Sequence, residues 1–316
     1  MTPGNRWSFP KLLFLPLIFL FAGSFPVHAT QNINIELLSK SVVYLYRGDV
    51  NGNPDPSQPL GTGFLVRVPL LADPKSSYFV LVTARHIVDP GWNHCPDSQP
   101  QVIYVRFNKK NYDPLRDESG VGFAQLPLQV NGIQIWAHPK EADADVAVIP
   151  LNAKAVTDMA DALAIAISDF ATEEEARQRV TSDSIISVGL LPSYPGVKRN
   201  YPLFKFGFIS TKPDETVPSQ CVPNGAATFM RLWLLSINLI PGNSGSPIFY
   251  INEGANGVSF GGGRTSLIGL QSTSFLGADI SGMTPVQYIF ETIESLRLQD
   301  ADLYRGAPKS VPAKTN

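Results

Sequence analysis

The chain has 316 residues, a formal net charge of -2, 44% apolar residues and 16% charged ones. That composition is globular and carries no basic footprint, so it excludes nucleic acid or an anionic membrane surface as an electrostatic partner. Its length suits one large domain or two ordinary ones, and 27 prolines and 25 glycines between short apolar runs point to an all-β architecture.

Residues 1–29 read as a signal peptide. Arg6 and Lys11 precede an apolar run over 12–22, and Val27-His28-Ala29 ends in a small residue suited to cleavage. The run falls short of the roughly 20 residues that a membrane span needs, and Pro16 interrupts it. No cysteine follows it to carry a lipid. The expectation is an exported protein, periplasmic or secreted, with no stable membrane anchor after signal cleavage; an uncleaved anchor is the alternative.

A first set of strands is expected at 41–46, 63–68, 78–83, 102–107, 126–136 and 146–151, separated by clusters of Gly, Pro, Asn and Asp. Residues 155–180, rich in Ala, Glu and Arg, read as a helical connection. A second set follows at 185–191, 203–209, 229–237, 248–251 and 266–272. Two β barrels or sandwiches account for this grouping, over 30–154 and 181–283. A C-terminal helix is expected over 284–300, with Thr284 capping, Pro285 in the first turn and Gln287 completing a capping box. Val286, Ile289, Phe290, Ile293 and Leu296 share one face of it, which should dock on the body. Residues 301–316 read as a disordered tail.

Cys95 and Cys221 allow a single intrachain pairing, which an oxidising compartment permits provided the Cα atoms come within about 4.4–6.8 Å. Two separated cysteines lack the paired spacing of a structural zinc site, and no metal is expected.

The loop Pro241-Gly242-Asn243-Ser244-Gly245-Ser246-Pro247 follows an apolar run and sets Ser244 beside glycines. Such a serine is a candidate nucleophile, and its neighbours' amides a candidate oxyanion site. The same residues are also good turn formers. A serine nucleophile needs a base, for which His86, His94 and His138 are available in the mature chain. His86 ends the apolar strand 79–86, whereas the other two lie in loops. An imidazole base needs an orienting carboxylate. Asp145 opens an apolar strand and is the candidate, with Asp143 as its competitor.

In chain order these segments resemble the trypsin/chymotrypsin-like serine peptidases. Val82-Thr83-Ala84-Arg85-His86 is similar to that family's Val-Thr-Ala-Ala-His, and Gly61-Thr62-Gly63-Phe64 to the strand before it. Asp145-Val146-Ala147-Val148 resembles Asp-Ile-Ala-Leu, and Gly242-Asn243-Ser244-Gly245 the nucleophile loop. Gly269-Leu270-Gln271-Ser272 resembles the strand that pairs with substrate backbone. The resemblance covers residues 42–298. It implies two six-stranded antiparallel β barrels with an active site between them and a peptide or protein substrate. Ser244 is then nucleophile, His86 base and acid, and Asp145 its orienting partner, with the N–H groups of Gly242 and Ser244 receiving the oxyanion and no cofactor required. Gln271 and Ser272 become substrate-binding residues. Asn238 falls where trypsin-like members carry a selecting acid, which suggests apolar or small substrate side chains.

The departures are informative. Asn243 stands where animal members carry an aspartate that pairs with a new N-terminus after zymogen cleavage, so activation by that route is not expected. Ser246 adds a second hydroxyl near the nucleophile. The pattern is nearer the bacterial heat-shock branch, yet only a helix and a short tail follow the second barrel. The alternative function is a catalytically silent module of the same fold that binds peptides or proteins.

Overall fold

The computed structural model describes residues 35–191, 194–240, 242–251, 265–275 and 277–305. The signal peptide and the end of the tail expected from the sequence lie outside them. Helix α1 (Ile35–Ser41) leads into β1 (Val42–Gly48), β2 (Pro54–Pro69) and β3 (Ser77–Thr83). A short helix, α2 (Arg85–Val88), and a 3-10 turn (Pro90–Asn93) precede β4 (Val102–Asn108) and β5 (Val121–Pro127). The hairpin of β6 (Gln129–Val130) and β7 (Ile133–Gln134), then β8 (Ala147–Leu151), α3 (Ala153–Met159), β9 (Ile165–Ala166) and α4 (Glu173–Gln178) complete the first half. Its strands order as β5-β4-β1-β2-β3-β8, with β9 joining β2 in parallel.

The second half holds β10 (Ser184–Gly189), β11 (Leu203–Thr211), β12 (Val217–Gln220), β13 (Ala227–Met230) and β14 (Trp233–Ser236). It continues through β15 (Pro247–Tyr250), β16 (Ser266–Phe275), β17 (Ile280–Pro285) and α5 (Val286–Ser295). Six of these strands close into a barrel in the order β10-β11-β14-β17-β16-β15, and β12 and β13 form a separate hairpin. A closed six-stranded barrel beside a curved half-barrel sheet bears out the all-β, two-barrel expectation.

The strands that build the core are buried over continuous stretches, among them Phe64, Leu65 and Val66 in β2 and Ile185 and Ile186 in β10, with Leu235 fully buried in β14. Side chains from both halves belong to one hydrophobic cluster, which includes Val148, Leu270 and Ile289. Helix α5 packs on β8 of the first sheet and on β16 and β17 of the barrel. Val286, Ile289, Phe290 and Ile293 are buried as its amphipathic pattern requires.

Four local expectations are corrected. The single strand at 126–136 is broken by Asn131 and Gly132, whose φ values of 53° and 75° make the two-residue turn of the β6–β7 hairpin. The strand at 229–237 is broken at Arg231, which donates through its N–H (2.9 Å) and Nε (2.9 Å) to Asp143 of the first half. β17 was not foreseen, because Ile280-Ser281-Gly282-Met283-Thr284-Pro285 has low strand propensity; pairing with β14 and β16 imposes it. That strand also absorbs Thr284, whose hydroxyl bonds Ser272 Oγ at 2.6 Å. The cap of α5 therefore falls on Pro285 with no side-chain cap bond, whereas a capping box does form at α4, between Thr172 and Glu175.

Candidate active site

Two adjacent strands of the first sheet end side by side, with Thr83 of β3 opposite Ala147 of β8. The residues just beyond them, His86 and Asp145, are thereby brought together. His86 Nδ1 lies 2.8 Å from Asp145 Oδ2, and the His86 backbone N–H donates to Asp145 Oδ1 at 3.0 Å. The Asp145 side chain is completely buried, while the His86 ring keeps 16% exposure toward the cleft. Burial alone would push the imidazole pKa down; the charge of Asp145 and its hydrogen bond outweigh this and hold it above the ordinary 6.5. Asp143, the competing carboxylate, is tied to Arg231 instead.

Helix α2 is braced from outside. Arg85 pairs with Asp89 at 3.1 Å and lies 5.1 Å over the Trp92 ring, whose Nε1–H donates to Ala142 O at 2.8 Å. The loop carrying His86 is thus fastened to the segment carrying Asp145.

Ser244 comes from the second half, in the loop between β14 and β15. The loop rests on β2. Thr62 N–H donates to Ser244 O at 2.8 Å, and Thr62 Oγ1 donates to Gly242 O at 2.9 Å while accepting from Leu190 N–H at 3.1 Å. Gly61 permits this approach, since a Cβ there would come within 2.8 Å of Ser244 O. Asn243 N–H closes a turn onto Ile240 O at 3.0 Å, and Gly242 takes φ 93°, a left-handed value that glycine adopts without strain. The Asn243 side chain is buried, with Nδ2 donating to Leu190 O (2.6 Å) and Oδ1 accepting from Ile240 N–H (3.1 Å). The Gly245 and Ser246 amides are engaged by Gln271 O and Asn243 O, both at 2.8 Å.

His86 and Ser244 line one cleft of about 660 Å³. Beside them, Ile240 and residues 271–275 form one wall. The β12–β13 hairpin and Asn93 contribute the other. Cys95 and Cys221 form a disulfide with Cα atoms 5.2 Å apart, stapling the segment that follows His86 to that hairpin. Of the residues expected from sequence, His86, Ser244, Gln271 and Ser272 meet at the cleft, with Asp145 behind His86 and Gly242 in the loop. Ser246 is completely buried and does not reach it.

Asn238 is not brought there. It is exposed and its Nδ2 donates to Asp279 Oδ1 at 3.2 Å, because Ile237 and Leu239 take the inward positions on either side of it. Sequence reasoning did not single out Thr62 as a hub, although it sits inside the Gly61-Thr62-Gly63 motif. Asn93 and the hairpin carried no signal of comparable strength.

No protein-family model matches the chain, and no curated protein sequence does either. The solved structures to which the chain is similar include the following two. One is the MamO protease domain from Magnetospirillum magneticum in its apo form, 16% identical over 83% of this chain and 98% of that one, with a TM-score of 0.45. The other is Rv3671c from M. tuberculosis H37Rv, a serine-to-alanine mutant in an inactive form. It is 13% identical over 85% of this chain and 93% of that one, with a TM-score of 0.43.

Proposed function

We propose that the protein is an exported serine endopeptidase that cleaves peptide bonds through an acyl-enzyme. The observation that carries this reading is the doubly bonded, buried Asp145 holding His86 at the cleft that Ser244 also lines. Ser244 Oγ attacks the scissile carbonyl carbon as His86 Nε2 takes its proton. The carbonyl oxygen, now negative, is received by the N–H groups of Gly242 and Ser244. Collapse of this intermediate breaks the C–N bond, and the departing amine takes the proton from His86. Water repeats the sequence on the ester, releasing the acid and restoring Ser244. Asp145 fixes Nδ1 as the protonated nitrogen and stabilises the imidazolium.

The disulfide between Cys95 and Cys221 suits an oxidising compartment, in keeping with export. Among the described residues, no helix is long and apolar enough to cross a membrane. The test is labelling by a fluorophosphonate, read by mass spectrometry of the intact protein. Adduct formation on Ser244, lost in Ser244→Ala together with peptide hydrolysis, is the expected outcome. A folded protein that takes no label would overturn the reading in favour of a silent peptide-binding module, whose affinity Ser244→Ala would leave unchanged.

A further inference from the structure

Gln271 occupies an unusual place beside the proposed nucleophile. Its backbone is held from both sides, N–H to Ser246 O at 2.9 Å and carbonyl from Gly245 N–H at 2.8 Å, so the side chain emerges at a fixed point next to the Ser244 loop. That side chain is 1% exposed and lines the cleft. Its Nε2 faces Ser274 Oγ at 3.2 Å and Thr273 O at 3.5 Å, and Ser274 Oγ in turn donates to Leu239 O at 2.7 Å. Nε2 is thus engaged by neighbours in the same wall of the cleft, while Oε1 is buried with no hydrogen-bond partner. A buried amide oxygen left unpaired is costly, and an oxygen in the wall of a binding cleft can recover that cost when a donor arrives.

We propose that Gln271 Oε1 selects a substrate side chain bearing a neutral hydrogen-bond donor, such as a carboxamide, at the residue whose carbonyl Ser244 attacks. The donor class follows from charge. Among the described residues no aspartate or glutamate lines this cleft, so a lysine or arginine side chain entering it would lose its hydration without a counter-charge from them. An apolar side chain would enter but leave Oε1 unpaired. This replaces the apolar preference expected from Asn238, and it deepens the peptidase reading, on which it rests.

The experiment uses two otherwise identical peptide aminocoumarin amides that end in glutamine or methionine, which are similar in length and differ in the donor. Wild-type protein is expected to favour the glutamine substrate by about tenfold or more in kcat/KM. Gln271→Met should erase that ratio, with fluorophosphonate labelling of Ser244 read alongside to report on the fold and the nucleophile. Gln271→Glu should move the preference toward a lysine substrate, a change that a merely structural role would not produce. A labelled enzyme that turns over both peptides equally overturns the inference and leaves the peptidase reading standing. Failure of labelling overturns the peptidase reading and the inference that rests on it.

Discussion

At the scale of single residues, the opposition of two forces on His86 makes its ionisation a test of the site. Burial favours the neutral ring and Asp145 favours the cation, and Asp145 prevails, so the pKa lies above 6.5. Only the neutral ring can accept the Ser244 proton. kcat/KM should therefore fall as pH drops through a midpoint above 6.5, the direction the raised pKa dictates. In Asp145→Asn the charge is gone and burial acts alone, so the remaining acid limb should move below its wild-type position. The same change offers Nδ1 an amide that favours the wrong tautomer, and kcat should fall by about 10⁴. Rate profiles from pH 5 to 9 for both proteins check this; an unmoved limb would mean that Asp145 does not set the His86 pKa.

At the scale of elements, the nucleophile loop is held by internal hydrogen bonds. Asn243 uses its amide for Leu190 O and its carbonyl for Ile240 N–H, linking the end of β10 to the turn that precedes Ser244. A carboxylate could accept from Ile240 but would turn its second oxygen on the Leu190 carbonyl. Asn243→Asp is expected to cost about 1–3 kcal/mol or more in urea unfolding, with a parallel loss of Ser244 labelling, because a charged group is then buried against an acceptor. An active, fully stable Asn243→Asp would show that the latch does not shape the loop. The readability of the sequence follows the same division. His86, Asp145 and Ser244 were legible because each sits at a strand end or in a glycine-flanked turn, where local chemistry shows. β17 was not legible, since its neighbours impose it. The exposure of Asn238 was likewise hidden, because the inward phase of the segment is set by the packing of Ile237 and Leu239 and not by the distance to Ser244 along the chain.

At the scale of the molecule, each half supplies part of one cleft, so whatever fixes the halves also fixes the chemistry. One continuous core and helix α5 join them behind the site. At the cleft itself, the Thr62 hydrogen bonds to Gly242 and Ser244 are joined by a covalent link, the disulfide between Cys95 and Cys221, 126 residues apart in sequence. A covalent loop of that length stabilises mainly by restricting the unfolded chain, and its removal should cost about 2–5 kcal/mol. It should also release the β12–β13 hairpin from the segment after His86, widening the wall that a long peptide contacts while leaving the His86–Asp145 pair in place. The Cys95→Ser, Cys221→Ser double variant is thus expected to unfold at lower urea. Its kcat/KM for extended peptides should fall more than its rate of labelling by a small fluorophosphonate. Equal losses in the two rates would place the effect at Ser244 and His86, and unchanged stability would mean that the non-covalent contacts between the halves suffice to hold them in register.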